Sequence, residues 1–177
     1  MTPALLELTD PSYLAELTSQ DIETVRSKRQ QCQDLENAFS YVRRLVHGRL
    51  DIVRSELERR RAGDAPADLE TIIARLPDLL SDGSRSVGLP RPPQDLAPGS
   101  DANSLVADLD ERFPPSRMAE LPLLTITELA SLGDALSQHE REVSAGRQAL
   151  HTVIDSLHEE IIRRYQAGDA TVDTLLR

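Results

Sequence analysis

Two stretches of the chain carry apolar residues at alternating steps of four and three. In the first, Leu35, Phe39, Val42, Val46, Leu50, Val53 and Leu57 follow one another in this way. In the second, Leu129, Leu132, Leu136, Val143, Leu150, Ile154, Leu157 and Ile161 do much the same. A repeat of this kind runs an apolar stripe down one side of an α-helix and predicts a coiled-coil seam. The prolines agree, since none falls between Pro11 and Pro66 and none after Pro122. Proline breaks helix interiors, so these two windows are where long helices can run. The first is predicted to start near Ser19 as N-cap, with Asp21 and Glu23 at the positive end of the helix dipole. It is predicted to end near Arg59-Arg60-Arg61 and Ala62-Gly63-Asp64. The second opens at Thr125-x-x-Glu128, a capping box, and ends near Arg163-Arg164 and Ala167-Gly168-Asp169. Helices of about 40 residues span roughly 60 Å each.

The expected fold is all-α: a long antiparallel two-helix coiled coil with short flanking helices and a flexible connection. Five segments follow: an N-terminal arm over 1–18, a long helix over 19–62, a connection over 63–124, a second long helix over 125–167 and a tail over 168–177. Within the connection, Leu69, Ile72, Ile73, Leu76, Leu79 and Leu80 predict a short helix over 68–80. The Gly/Ser/Pro-rich stretch from Ser81 to Ser104 is expected to be flexible. A connection of this length permits a parallel or an antiparallel pairing, and the symmetry of the motif below favours the antiparallel one.

Composition narrows the function. Aromatic residues are 3% of the chain and Trp is absent, which argues against a large globular core, while 28% charged residues suit long helices. The single cysteine, Cys32, excludes an internal disulfide framework and a four-cysteine metal site. A net charge of −10 argues against direct nucleic-acid binding and favours a basic partner. The sequence contains no apolar run of bilayer length, and its start lacks the basic and apolar regions of a signal peptide, so a cytoplasmic location is expected. No nucleophile–base pair, phosphate-binding loop or metal cluster stands out, so an enzyme is not expected.

The sharpest signal is an internal repeat. At an offset of 104 residues, Glu36, Ser40, Arg43, His47 and Asp51 match Glu140, Ser144, Arg147, His151 and Asp155. The pattern is E-x3-S-x2-R-x3-H-x3-D, twice. Glu56, Arg59 and Arg60 match Glu160, Arg163 and Arg164 at the same offset. Steps of four, three, four and four place the five polar side chains on one stripe of each helix, beside the apolar seam.

Charged residues beside a coiled-coil seam are commonly solvated salt bridges, and a single histidine there is more often a half-buried surface residue than a ligand contact. That account does not ask for the same five residue types in the same order twice. A divalent metal is another possibility for His and Asp at four-residue spacing, but the accompanying Arg would repel it. Paired carboxylates for glycoside hydrolysis need a pocket that a two-helix rod does not imply. Arg presents a planar fork for a guanine O6/N7 edge or a phosphate, and Asp can accept from guanine N1–H and N2–H. Ser and His can bond phosphate or ribose oxygens, and Glu can orient the Arg or accept from a guanine. Gly48 and Gly146 beside the motif would leave room for a base to approach the backbone. Two equal half-sites on antiparallel helices suit a two-fold symmetric guanine dinucleotide or a symmetric stack of such molecules.

These residues resemble the RsiG family of actinobacterial anti-sigma factors, whose mark is a twice-repeated E-x3-S-x2-R-x3-(polar)-x3-D motif on an antiparallel coiled coil. The family often has Gln where His47 and His151 stand here. The resemblance implies that two cyclic di-GMP molecules bind along the seam, with Arg43, Arg147, Asp51 and Asp155 reading guanines. It implies that the loaded protein holds a WhiG-type sporulation sigma factor away from RNA polymerase. Leu5, Leu6, Tyr13, Leu14, the 68–80 helix and Leu105 to Phe113 are the apolar candidates for that contact, against simple packing onto the coiled coil. The competing expectation is a structural coiled-coil adaptor without a nucleotide ligand.

Overall fold

The computed structural model describes residues 2–80 and 99–168, all helix, turn or irregular backbone with no strand among them. The elements are α1 (Pro3–Leu8), α2 (Ile22–Arg61), α3 (Leu69–Leu80), α4 (Ser100–Arg112), α5 (Pro115–Ala119) and α6 (Ile126–Ala167), with 3-10 turns at Pro11–Leu14, Leu17–Ser19 and Leu121–Leu123. The chain divides into two compact units: Met1–Ser40 with Val143–Arg177, and Tyr41–Glu142. Each unit contains part of α2 and part of α6.

In the first unit α1 is capped by Thr2, whose hydroxyl accepts from Leu5 N. Helix α2 begins at Ile22 rather than near Ser19, because Asp21 Oδ1 accepts from Thr24 N at 2.8 Å and Ser19 is taken up in the preceding 3-10 turn. A carboxylate is also the better cap against the positive end of the dipole. Leu5, Val25, Cys32, Leu35 and Phe39 are buried with Val143, Leu150, Leu157 and Ile161. Arg26 reaches Tyr165 and Glu36 reaches Arg147, so residue numbers rise on one helix as they fall on the other, the antiparallel sense.

The second unit follows the same plan with the roles of the long helices exchanged. Thr125 and Glu128 form the expected capping box, Thr125 N donating to Glu128 Oε2 at 2.8 Å and Glu128 N to Thr125 Oγ1 at 3.2 Å. Val42, Val46, Leu50, Val53 and Leu57 are buried with Leu121, Leu124, Leu129 and Leu136. Arg43 meets Glu140 and Arg54 meets Ser137, again antiparallel. Each fully buried leucine contributes about 1.5–3 kcal/mol. The expectation of flexibility over 81–104 is corrected at its end: Ser100 to Ser104 are the first turn of α4, held there by buried Ala102 and Leu105. Residues 81–98 lie outside the described residues, as do 169–177 of the tail.

The offset of 104 residues extends well beyond the polar motif. Asp21 and Thr125 cap the two long helices at equivalent positions, and the turns at Leu17–Ser19 and Leu121–Leu123 precede them. Arg164 donates from Nη1 to Gln20 O at 2.6 Å and from Nη2 to Leu17 O, while its Nε donates to Glu160 Oε1 at 2.7 Å. Its counterpart Arg60 donates to Leu121 O at 2.7 Å and to Leu124 O, with its Nε on Glu56 Oε1 at 2.7 Å. All four side chains are buried. A guanidinium fork thus satisfies the carbonyls of the turn that enters the opposing helix, which a point charge such as Lys would not do. Hydrogen bonds from Arg163 and Arg164 hold the Glu160 carboxyl down to about 2.

Candidate functional site

In the first unit the organising group is Glu36, a carboxylate only 6% exposed. A buried charge of this kind requires partners. It has four: Ser40 Oγ donates to Glu36 Oε1 at 2.8 Å, Arg147 Nε donates to the same oxygen at 2.9 Å, His151 Nε2 lies 3.3 Å from it, and Gln33 Nε2 donates to Oε2 at 3.1 Å. Arg147 Nε also donates to Ser40 Oγ at 3.0 Å. Arg147 is therefore anchored through Nε alone. Among the described residues its two Nη atoms have no protein acceptor, and its side chain is 36% exposed. That leaves the planar edge of the guanidinium available for a bidentate acceptor such as a guanine edge or a phosphate.

The second unit repeats the arrangement around Glu140. Its Oε1 accepts from Arg43 Nε at 3.2 Å and lies 3.1 Å from His47 Nε2. A carboxylate oxygen can only accept, so His47 Nε2 is the donor at its contact.

Antiparallel packing thus regroups the candidates that the spacing placed on two separate stripes. Glu36 and Ser40 of α2 join Arg147 and His151 of α6. Glu140 of α6 joins Arg43 and His47 of α2. Ser144 is half-buried on α6 in the first unit. Asp51 is half-buried and Asp155 exposed, and neither pairs with a described protein group. Their carboxylates stand outside the Glu–Arg–His clusters as open acceptors.

One expectation is overturned. Gly146 does not leave space for a ligand, because a Cβ built there would lie 2.6 Å from Phe39 Cε1 and 3.0 Å from Leu5 Cδ2. The space belongs to the Phe39 ring. Several apolar candidates for a partner contact are core as well: Leu5, Leu105, Leu109 and Phe113 are buried, and Tyr13 is tied down by its hydroxyl, which donates to Lys28 O or Gln31 Oε1. Leu6, Leu69 and Ile73 remain exposed, at 52%, 44% and 55%.

Two functional features escaped the spacing argument. Gln33, the fourth partner of Glu36, has no counterpart in the five-residue pattern. The role of the Glu56/Arg60 and Glu160/Arg164 matches as turn clamps was visible only as an unexplained extension of the repeat. Among the described residues no helix is long and apolar enough to cross a membrane, and no group of three potential metal ligands assembles.

The family model described as RsiG-like matches residues 11–80 and 115–177, which includes both clusters and both turn clamps. No curated protein matches the chain.

Proposed function

Taking as premise that the chain belongs to the RsiG-like family, which points to an anti-sigma factor role with a sigma factor as partner, we propose that its two Glu–Arg–His clusters are binding sites for cyclic di-GMP and that the loaded protein sequesters a sporulation sigma factor of the WhiG type. The observation that carries this reading is the mode of anchoring at Arg147. Its Nε is held by Glu36 and Ser40, and the two terminal nitrogens are left for a ligand. Binding requires no catalytic step, and none is proposed.

In this reading Arg147 and Arg43 each present a fixed fork to guanine O6/N7 or to a phosphate oxygen. Asp155 and Asp51 accept from guanine N1–H and N2–H, which adenine lacks. His151 and His47, together with Ser40 and Ser144, serve phosphate or ribose oxygens. Two like clusters suit two ligand molecules. Four ligand phosphates meet a chain of net charge −10, so the local arginines are needed to offset repulsion. Control of the sigma factor requires that the ligand contact the loaded complex differently from the free protein. Exposed Leu6 in the first unit, and Leu69 and Ile73 in the second, are the apolar positions assigned to that partner.

Calorimetry with cyclic di-GMP and cyclic di-AMP tests the ligand. Selective binding of the guanine dinucleotide, lost in the Arg43→Ala/Arg147→Ala double variant, is the expected result. Absence of binding, or binding indifferent to both substitutions, would leave a structural adaptor. Capture of a sporulation sigma factor with and without the ligand tests the switch.

A further inference from the structure

In the first unit the polar face around Glu36 continues toward the start of α2 and the end of α6. Arg26 and Arg29 lie on the α2 stripe, and His158, Ile162 and Tyr165 on the α6 stripe, each a step of three or four from the next. Together with Glu23 they line a cleft of about 710 Å³. That volume lies in the range of small-ligand sites, roughly 300–1,000 Å³.

The cleft reverses the sign of the chain. Against a net charge of −10, its walls carry two guanidinium groups and an imidazole facing a single carboxylate. That carboxylate, Glu23, is already paired with Arg26 and is 68% exposed. Arg26 is set in place by Tyr165: it donates to the phenol oxygen, and its guanidinium carbon lies 5.7 Å from the ring centroid. Arg29 is placed differently. Its one polar contact among the described residues is Nη1 donating to His158 Nδ1 at 3.5 Å, which leaves its other guanidinium N–H groups without a protein acceptor there. Those N–H groups form a fork that is best satisfied by an oxyanion. Beside them the Tyr165 ring and Ile162, 41% exposed, form a flat and partly apolar wall.

The arginine pair of this cleft is not duplicated. At the offset of 104 residues Arg26 and Arg29 correspond to Ala130 and Gly133, and Tyr165 to Arg61. A Cβ at Gly133 would lie in ordinary contact, 3.6 Å from Val53 Cγ1. A cleft outside the duplicated pattern has its own reason to exist.

We propose that this cleft binds the terminal phosphate of a nucleotide-sized ligand, with Arg29, oriented by His158, on the phosphate, Arg26 beside it, and Tyr165 and Ile162 against the organic part. The inference does not depend on cyclic di-GMP, which has no terminal phosphate. The test is titration of the full chain with ADP and with inorganic pyrophosphate, followed by calorimetry and by amide chemical shifts. ADP is expected to bind and to perturb amides of residues 26–30 and 158–165. Its affinity is expected to fall roughly ten- to hundredfold in Arg29→Ala/His158→Ala, the loss of charged hydrogen bonds. In Arg147→Ala it should be unchanged, which separates this site from the Glu36 cluster. No saturable binding of either probe overturns the proposal, as does affinity unchanged in the double variant or tighter binding of a hexaglutamate peptide than of ADP. Should the double variant fail to fold, the shift map of the unsubstituted chain still decides.

Discussion

Glu36 Oε1 accepts from Arg147 Nε at 2.9 Å across 111 residues of sequence, and Glu140 Oε1 accepts from Arg43 Nε at 3.2 Å across 97. In both clusters a carboxylate on one long helix fixes an arginine on the other by the inner nitrogen. An arginine held this way is pre-oriented, so little side-chain freedom remains to be lost when a ligand meets its outer edge.

This arrangement makes Arg147→Lys an informative substitution. Lysine keeps the charge but has neither the Nε anchor nor the fork. Cyclic di-GMP affinity is expected to fall by about 1–3 kcal/mol, the scale of one bidentate guanine contact, while melting temperature changes little because Ser40, Gln33 and His151 still surround Glu36. Calorimetry and thermal melts on the same variant check both statements. An unaltered affinity would remove Arg147 from the binding site.

The turn clamps predict large effects far from any ligand. Arg164→Ala removes the side-chain donor from the carbonyls of Leu17 and Gln20 and leaves the buried Glu160 with only the half-exposed Arg163 as its cation. Breaking a buried pair by one side costs about 3–5 kcal/mol. Urea unfolding is expected to show a loss of this order for Arg164→Ala, and a similar one for Arg60→Ala. Hydrogen exchange should report early opening of the 17–20 turn in the first variant and of the 121–124 turn in the second.

Two glycines in the middle of α6 are expected to respond to alanine with opposite signs. At Gly133 the added methyl meets Val53 Cγ1 at 3.6 Å, an ordinary contact. Gly133→Ala should therefore gain most of the helix-propensity difference, about 0.5–1 kcal/mol. At Gly146 the added methyl sits 2.6 Å from the Phe39 ring, and overpacking of about 1–3 kcal/mol outweighs that gain. Phe39→Leu in the Gly146→Ala background should recover part of the loss. Urea midpoints of the four proteins decide the matter.

His139 gives the second unit an acid-sensitive joint. Arg112 Nη1 donates to His139 Nδ1 at 2.6 Å, so the ring is neutral with its proton on Nε2, which is buried without a partner. Burial and the Arg112 charge both lower its pKa below 6.5. The unfolded chain therefore takes up a proton at this position before the folded one does. Stability is expected to fall as pH drops through about 6.5 and below, with a slope of at most about 1.4 kcal/mol per pH unit from this one group. Thermal melts between neutral and mildly acidic pH should show this slope in the unsubstituted chain and a flatter one in His139→Leu. Equal slopes would assign the acid sensitivity to other groups.

Much of this molecule was legible without coordinates. The seam residues Leu35 to Leu57 are buried as their spacing requires, because a four–three alternation keeps one face turned to its neighbour whatever that neighbour is. The Thr125–Glu128 box and the glycines after each long helix are local signals and act locally; Gly63 and Gly168 take φ of +95° and +80°, where other residues are strained. The start of α2 was misplaced by two residues because Ser19 and Asp21 are both good caps, and the choice fell to the turn that Arg164 holds. Gly146 was misread because its neighbour Phe39 lies 107 residues away in sequence.

The sequence by itself determined that there would be two long helices, that each would carry the same five polar residues, and that these would flank an apolar seam; all three follow from periodicity within one helix. Only the tertiary structure decided which acid meets which base, that Arg60 and Arg164 close over turns instead of joining the ligand face, and that Arg26, Arg29 and His158 line one cleft with Tyr165. Those outcomes depend on the register between segments about a hundred residues apart, and no local pattern encodes the distance between two side chains on different helices.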